Sequence, residues 1–317
     1  MLPCNRIPVH KYIFSRLLQA VPVIFGVALI SFILSELSGS PVRAALGQHA
    51  DPETIKKIEA FYGYDKPSPV RFVSYLGHLA NGNLGVSISK EGVPVSTLIV
   101  SGMSVTLKIA LGAMLVAIAL GVTAGVVSAS RPNSALDYTA LIGASLGVSF
   151  PAFFLGMLFL LLFAVRLHWF PIGGYVPGSL RHLVLPCLSL GLISTASIAR
   201  LTRNCMLETL SQDYVRSGRA KGLGNWYVLV GHALPNALVP VVTIIGSDFG
   251  GLLVGAVLTE TVYQVPGVGS VINDAIFERD LPVIMGCCII FALIFIGMNL
   301  LVDVSYAFLD PRIRHAQ

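Results

Sequence analysis

The chain has 317 residues, of which 55% are hydrophobic and 12% charged; soluble domains carry about 25% charged residues, so an ordinary soluble domain is excluded and a bilayer is indicated, at about 20 apolar residues per crossing. A formal net charge of +5 would suit nucleic acid if the Lys and Arg residues gathered on one aromatic-interleaved surface, but they are distributed between apolar runs as membrane topology requires. Cys4, Cys187, Cys205, Cys287 and Cys288 lack CxxC spacing and the density of a disulfide scaffold, and are read as reduced packing residues.

Arg6, Lys11 and Arg16 precede an uncharged run at 17–34. Such a run is either the core of a cleaved signal peptide or a retained span. It exceeds the roughly 7–15 residues of a signal core and further apolar segments follow, so it is read as a first span with the N-terminus in the cytoplasm. Residues 35–98 hold no span. Asp51-Pro52-Glu53 is a helix start, with a cap, a proline at the first position and an acid in the first turn. Ile55, Ile58, Phe61 and Tyr62 then share a face, and a second amphipathic piece, Phe72-Val73, Leu76 and Leu79-Ala80, runs to a turn at Asn81-Gly82-Asn83. Together they predict a small helical cap outside the membrane.

The second span is expected near 105–127, with Gly121 and Gly125 forming a small-xxx-small face for close helix approach. A short loop at 128–138 carries Arg131-Pro132. The third span, about 140–165, has Gly143 and Gly147 at the same spacing and a Pro151 that loosens the helix in mid-membrane. Turn signals at Pro171-Ile172-Gly173-Gly174 and Pro177-Gly178 mark an outer loop. The fourth span is expected at 183–199, the fifth at 238–258 with Gly246, Gly250, Gly251 and Gly255, and the last at 283–307. Between the last two lies an outer loop containing Pro266-Gly267-Val268-Gly269.

Six spans return the C-terminus to the cytoplasm, and the charges agree. Arg6, Lys11, Arg16, Arg131, Arg200, Arg203, Arg216, Arg219, Lys221, Arg312 and Arg314 fall on the inner side, against Arg166, Arg181 and Arg279 in the short outer loops. The expected parts are therefore a cytoplasmic N-terminus with its first span at 1–34, an extracytoplasmic helical segment at 35–98 and a five-span core at 99–317.

Between spans four and five, residues 213–240 interrupt the apolar pattern. Arg216, Arg219 and Lys221 stand within six residues, the Gly222-Leu223-Gly224 break follows, and an apolar-periodic run ends at Leu234-Pro235-Asn236. This reads as helix, turn, helix: a soluble knob made to be gripped.

The chain holds no G-x-x-x-x-G-K-[ST] phosphate loop, no spaced intramembrane acids or histidines for a proton relay, no HExxH and no G-x-S-x-G. It offers no catalytic residues, metal ligands or cofactor site of its own. Two readings stand for Asp248, mid-span on these boundaries: a group facing the translocation path, or a hydrogen bond between spans. Lys108 is expected to snorkel to the headgroups, Glu260 to sit just past the fifth span at an outer gate, and His232 to cap or pack, with a proton or metal role as the other reading. The glycine density of the fifth span fits either tight packing or a smooth pore-lining face, with Gly250 and Gly251 on it.

The knob resembles the cytoplasmic EAA loop of bacterial ABC importer permeases, in which Glu-Ala-Ala, three residues, Gly and nine residues lead to a hydrophobic position, any residue and Leu-Pro. Here Gly222 leads over nine residues to His232, Ala233, Leu234 and Pro235, while Arg216-Ser217-Gly218 replaces Glu-Ala-Ala. Tyr214 to Leu223 is similar to the Y-V-R-T-A-R-A-K-G-L of the peptide and nickel branch, first-permease type, with Gly218 for alanine. Gly82-Asn83-Leu84-Gly85 with Ser87, Glu260 with Pro266-Gly267-Val268-Gly269, and Asp310-Pro311-Arg312-Ile313-Arg314 resemble further motifs of that branch, in the same order.

The resemblance implies an all-α permease of six transmembrane helices in the bacterial inner membrane, with both termini cytoplasmic and a coupling loop at about 204–236. Its implied partners are a homologous second permease, two ATPase subunits that carry ATP and Mg2+, and an extracytoplasmic solute-binding protein. It assigns ATPase coupling to Arg216, Arg219, Ala220, Lys221, Gly222, Leu223, His232, Leu234 and Pro235. The translocation path falls to Asp248, Gly250, Gly251 and Glu260. Di- or oligopeptides are the implied solutes, with nickel chelates, glutathione or another small solute as the alternative. A stand-alone channel or ion-coupled carrier would need a selectivity filter or coupling acids.

Overall fold

Long uncharged runs leave the backbone no partner but itself in a bilayer, and a helix meets that demand within one segment. The computed structural model describes residues 9–39, 53, 59–60, 64–90, 92–147 and 149–309; among them the regular structure is helical, joined by turns and loops, apart from one isolated antiparallel bridge between Val86 and Pro94. Helices α1 (Val9–Leu37), α2 (Ser68–Ala80), α3 (Val95–Ser130) and α4 (Ala135–Leu146) are followed by α5 (Ala152–Arg166), whose second half is a π-helical turn. Then come α6 (Arg181–Leu210), α7 (Asp213–Ala220), α8 (Asn225–Tyr263), α9 (Val268–Phe277) and α10 (Leu281–Leu309). The helix start at Asp51-Pro52 with Ile55, Ile58, Phe61 and Tyr62, and the Asp310 to Arg314 ending, lie outside the described residues.

Among the described residues, five helices are long and apolar enough to cross a membrane: α1, α3, α6, α8 and α10. The third expected span is not one of them. In place of a continuous helix over 140–165, α4 ends at Leu146 and α5 starts after Pro151, whose ψ of 145° is extended. Proline lacks the N–H that would continue the ladder and its ring crowds the preceding turn, so Pro151 breaks the helix rather than loosening it. Ser149 donates its hydroxyl to the Ser145 carbonyl at 3.3 Å, occupying one of the acceptors freed there. The other helices overrun their expected limits. Helix α3 has 36 residues and α8 39, about 54 and 58 Å at 1.5 Å per residue, well beyond a hydrocarbon core of about 30 Å.

The chain divides into two units. One is built on Leu107–Val265, with α6 as its spine: Leu185, Leu190, Ile198 and Met206 on that helix are almost fully buried. Glycines set the approach of α3. A Cβ at Gly125 would lie 2.6 Å from the Thr202 Cβ and 2.7 Å from the Ala199 carbonyl oxygen, and one at Gly191 2.4 Å from the Ala113 carbonyl oxygen. Gly147 comes as close to Leu192, at 2.3 Å from its carbonyl oxygen, whereas Gly143 meets nothing within 4 Å, so half of that expected pair makes the contact. At the end away from the knob, buried Tyr263 donates its hydroxyl to the Gly156 carbonyl at 3.2 Å, and its own carbonyl accepts from the Gly174 N–H at 3.0 Å. There Lys108 donates to the Tyr175 hydroxyl at 3.3 Å.

The other unit is built on Phe14–Thr106 and Pro266–Ile296. Its α2 docks on α1 through aromatic rings, with the Phe32 and Phe72 centroids 5.1 Å apart, and through an ion pair of Arg71 with Glu36 at 2.6 Å. Ser68 adds a hydroxyl to the same carboxylate at 2.6 Å, and the Arg71 guanidinium lies 4.4 Å from the Tyr64 ring centroid. A small core of Val95, Ile99, Val268, Ala275, Val283 and Cys287 joins α3, α9 and α10. Beside it Asp280, 1% exposed, holds the loop that carries Ser87: its carboxylate accepts from the Ser87 hydroxyl, from the Ser89 hydroxyl at 2.6 Å, and from the Ser89 and Ile88 N–H groups at 3.2 and 3.3 Å. A Cβ at Gly102 would come within 2.6 Å of the Gly267 backbone. That approach accounts for small residues on both sides.

Candidate functional site

The knob grows from the end of α6. After Leu210 the chain turns through Ser211 and Gln212 into α7, two turns long, which buries Val215 completely and leaves Arg216, Arg219, Ala220 and Lys221 exposed. Arg216 reaches Asp213 at 3.7 Å, but both side chains are largely solvated. Such a pair contributes about 0–1 kcal/mol, which leaves the guanidinium available to another partner. Helix α7 stops at a left-handed glycine: Gly222 has a φ of +79°, its N–H bonds the Arg219 carbonyl at 2.9 Å, and the Leu223 N–H bonds the Gly218 carbonyl at 3.3 Å. These two bonds make a Schellman cap, completed by Leu223 against Gly218, whose Cβ would lie 3.6 Å from the Leu223 methyl. A Cβ at Gly222 would meet nothing within 4 Å, so its glycine answers to torsion and not to space.

The second half of the knob is not a separate helix. From Asn225 the chain runs without interruption into α8, passing through a π-helical turn at Val228–Ala233. Pro235 stands two residues after the turn ends. It cannot bond the Gly231 carbonyl and its ring needs room there, and the wider π turn supplies that room. One side of this turn is seated: Leu229 and Ala233 join Val126, Ala129, Met206 and Ala237 in a buried cluster between the ends of α3, α6 and α8. The other side is bare, with Trp226 70% and Tyr227 59% exposed and Tyr214 and Leu223 also uncovered. His232 is half-buried, its ring edge-on to Tyr227 at 5.3 Å, and Asn236 ties the His232 carbonyl to the Tyr214 hydroxyl with bonds of 3.1 and 3.0 Å. Leu234 is half-buried and Pro235 exposed. The nine residues named for coupling thus share one projection, with the aromatic face beside them unread in the sequence.

The four residues named for a path lie apart along α8. Asp248 is half-buried, Gly250 is buried, and Gly251 faces open space. Glu260 is fully buried and inside the helix, one turn before its end, rather than past it. Pro240, Ser247, Gly251, Val254, Leu258 and Thr261 form one uncovered stripe at helical spacing.

Sequence reasoning missed a second feature at the knob end. Asp137, 1% exposed, accepts from Arg203 Nε at 2.8 Å and from its Nη2 at 2.7 Å, from the Asn133 N–H at 2.9 Å and from the Ser128 hydroxyl. The Arg203 guanidinium first and the Ser128 hydroxyl next hold this carboxyl well below the usual carboxylate range, against burial, which works the other way. Ser134, capping α4 by accepting from the Asp137 N–H at 3.3 Å, completes an S-x-x-D start. That signal was present in the sequence; its partner, 66 residues on, was not. Among the described residues no group of three or more His, Cys, Asp or Glu could hold a metal ion.

Comparison with known proteins places this arrangement. A family model described as the inner membrane component of binding-protein-dependent transport systems matches residues 121–315, and the model for the N-terminal part of such components matches residues 9–110. The dipeptide transport system permease protein DppB of Alkalihalophilus pseudofirmus is 38% identical over 331 residues, covering 96% of this chain and 99% of that protein. The di/tripeptide transport system permease protein DppB of Pseudomonas aeruginosa is 39% identical over 334 residues with the same coverage. The fold resembles that of a chain in the inward-facing MetNI methionine ABC transporter, with a TM-score of 0.58, 18% identity and coverage of 68% of this chain and 97% of that one.

Proposed function

We propose that this chain, which belongs to the family of inner membrane components of binding-protein-dependent transport systems, is the pore-forming subunit of an ATP-binding-cassette importer for di- or oligopeptides. The observation that carries the reading is the knob: a capped helix and an aromatic face exposed on one side and seated on the bundle on the other. A chain without a phosphate-binding loop must take its energy from a partner, and this projection is what a partner can grip. In this reading two ATPase subunits, holding ATP and Mg2+, contact Arg216, Arg219, Lys221 and the exposed Trp226 and Tyr227.

The knob then faces the cytoplasm together with both termini, and α4 and α5 make a broken sixth crossing of the bacterial inner membrane. The continuous helix from Asn225 to Tyr263 carries movement of the knob directly into the core, as rigid-body switching requires. The uncovered stripe of α8 supplies a surface for a homologous second permease and the passage between the two. A solute-binding protein delivers the peptide from outside, and the near-full-length likeness to peptide permeases supports that solute class.

The test is uptake in proteoliposomes containing this chain, a second permease, the ATPases and a solute-binding protein of the same system. Radiolabelled dialanine is expected to accumulate with ATP inside the ATPase-accessible compartment, and Arg219→Glu to abolish accumulation while leaving the chain inserted. Equal accumulation without ATP, or unaltered uptake by Arg219→Glu, would refute the reading.

A further inference from the structure

We propose that Asp137 and Arg203 are positioning residues for energy coupling, their ion pair locking the knob ends of α3 and α6 into one body so that a push on the knob turns the bundle instead of slipping between helices. The inference rests on reading the knob as the coupling element.

The geometry supplies what such a lock needs. Asp137 gathers donors from three pieces of chain: Ser128 near the end of α3, Asn133 in the connecting loop, and Arg203 on α6. Asn133 is held at a φ of +60°, a left-handed conformation that asparagine tolerates better than most residues, and its N–H meets the carboxylate. The fork is bidentate, and parallel N–H to oxygen bonds fix orientation as well as distance. Apolar contacts do not. The cluster that seats the knob sets Ala129, Ala233 and Ala237 beside Val126, Met206 and Leu229, contacts that resist separation but, being apolar, carry no directional bond.

Placement links the lock to the knob. Met206, completely buried one turn beyond Arg203, touches the same cluster as Leu229 and Ala233 of the π turn, while Ala129 of that cluster is the neighbour of Ser128. Movement of the π turn therefore loads both helices that the pair joins. As a source of stability the pair is a poor choice, because apolar residues of similar volume commonly do as well or better in a buried position. Its directional hold is what they lack.

The experiment uses the assembled importer with the chain's own five cysteines replaced by alanine and Ser247→Cys introduced on the uncovered stripe of α8. Maleimide labelling of that cysteine is compared without nucleotide and with MgATP plus vanadate, and ATP hydrolysis is measured on vanadate-free portions of the same preparations. With the pair intact, the labelling rate changes at least about fivefold between the two states, the lower end of ordinary coupling. Asp137→Asn brings the ratio near one while hydrolysis continues, and exchanging the pair by Asp137→Arg with Arg203→Asp restores it in part. A full nucleotide-dependent change in Asp137→Asn overturns the inference. So does proportional loss of assembly, hydrolysis and labelling response in Asp137→Asn and in the conservative Arg203→Lys, which marks a purely structural pair. An intact chain without any nucleotide response instead overturns the coupling reading of the knob, and the inference with it.

Discussion

Gly222 separates two explanations for a glycine at the tip of the knob. Its φ of +79° lies in the left-handed region, and a Cβ there would meet nothing within 4 Å. Replacement therefore costs backbone energy alone, about 1–2 kcal/mol for alanine, which lowers the population of the capped knob by a factor of about 5–30. Asparagine, larger but more tolerant of that torsion, costs less. The expected order of ATPase association, read by titrating detached ATPase subunits onto the permease pair, is Gly, Asn, Ala, then Val. A steric requirement predicts alanine ahead of asparagine. That order, or an alanine variant equal to the parent, would refute the torsional account and remove the Schellman cap from the coupling argument.

The other predictions concern packing and the second unit. Gly147→Ala places a Cβ 2.3 Å from the Leu192 carbonyl oxygen, so it should destabilise the detergent-solubilised chain by about 1–3 kcal/mol, whereas Gly143→Ala, inside α4 with open space at its Cβ, should hold or raise the melting temperature, with up to about 1 kcal/mol gained in helix propensity; equal losses would dismiss the contact. Asp280→Ala strips four donors of their acceptor, a loss of at least about 2 kcal/mol, and should make the loop around Ser87 cleavable by added protease from outside; resistance equal to the parent would show that the loop is held otherwise. Gly218→Ala removes up to about 1 kcal/mol of helix penalty from α7 at contacts no closer than 3.6 Å. It should raise the thermal stability of the knob as followed by hydrogen exchange, and faster exchange would contradict the packing described.

Much of this organisation was legible in the chain itself. Apolar runs marked the long helices because in a bilayer length and polarity decide the matter, and glycines at four-residue spacing marked a close-approach face on α3, though not α6 as the helix that meets it. The break before Pro151 was visible as a proline but was read as a loosening, since the cost of continuing through it depends on whether neighbours can satisfy the freed carbonyls. The knob's turn was readable at Gly222. Its continuity with α8 was not, because Gly231 and Pro235 resemble helix boundaries until a π turn accommodates them. Long-range polar pairs were invisible: Asp137 with Arg203 and Ser87 with Asp280 lie 66 and 193 residues apart, and the charge pattern marks Arg203 only as an inner-side residue, with no sign that it is half-buried against Asp137. Exposure of Trp226 and Tyr227 likewise depends on which side of the turn Leu229 seats.

The central claim is that the knob receives energy from an ATPase. A photo-crosslinking residue placed at Trp226, 70% exposed, in membranes expressing the complete importer tests it directly. The account predicts a crosslinked protein carrying a G-x-x-x-x-G-K-[ST] phosphate loop, with no such product from the same residue placed at Trp169 beyond the far end of α5. Crosslinking to that protein from Trp169 but not from Trp226 would contradict it.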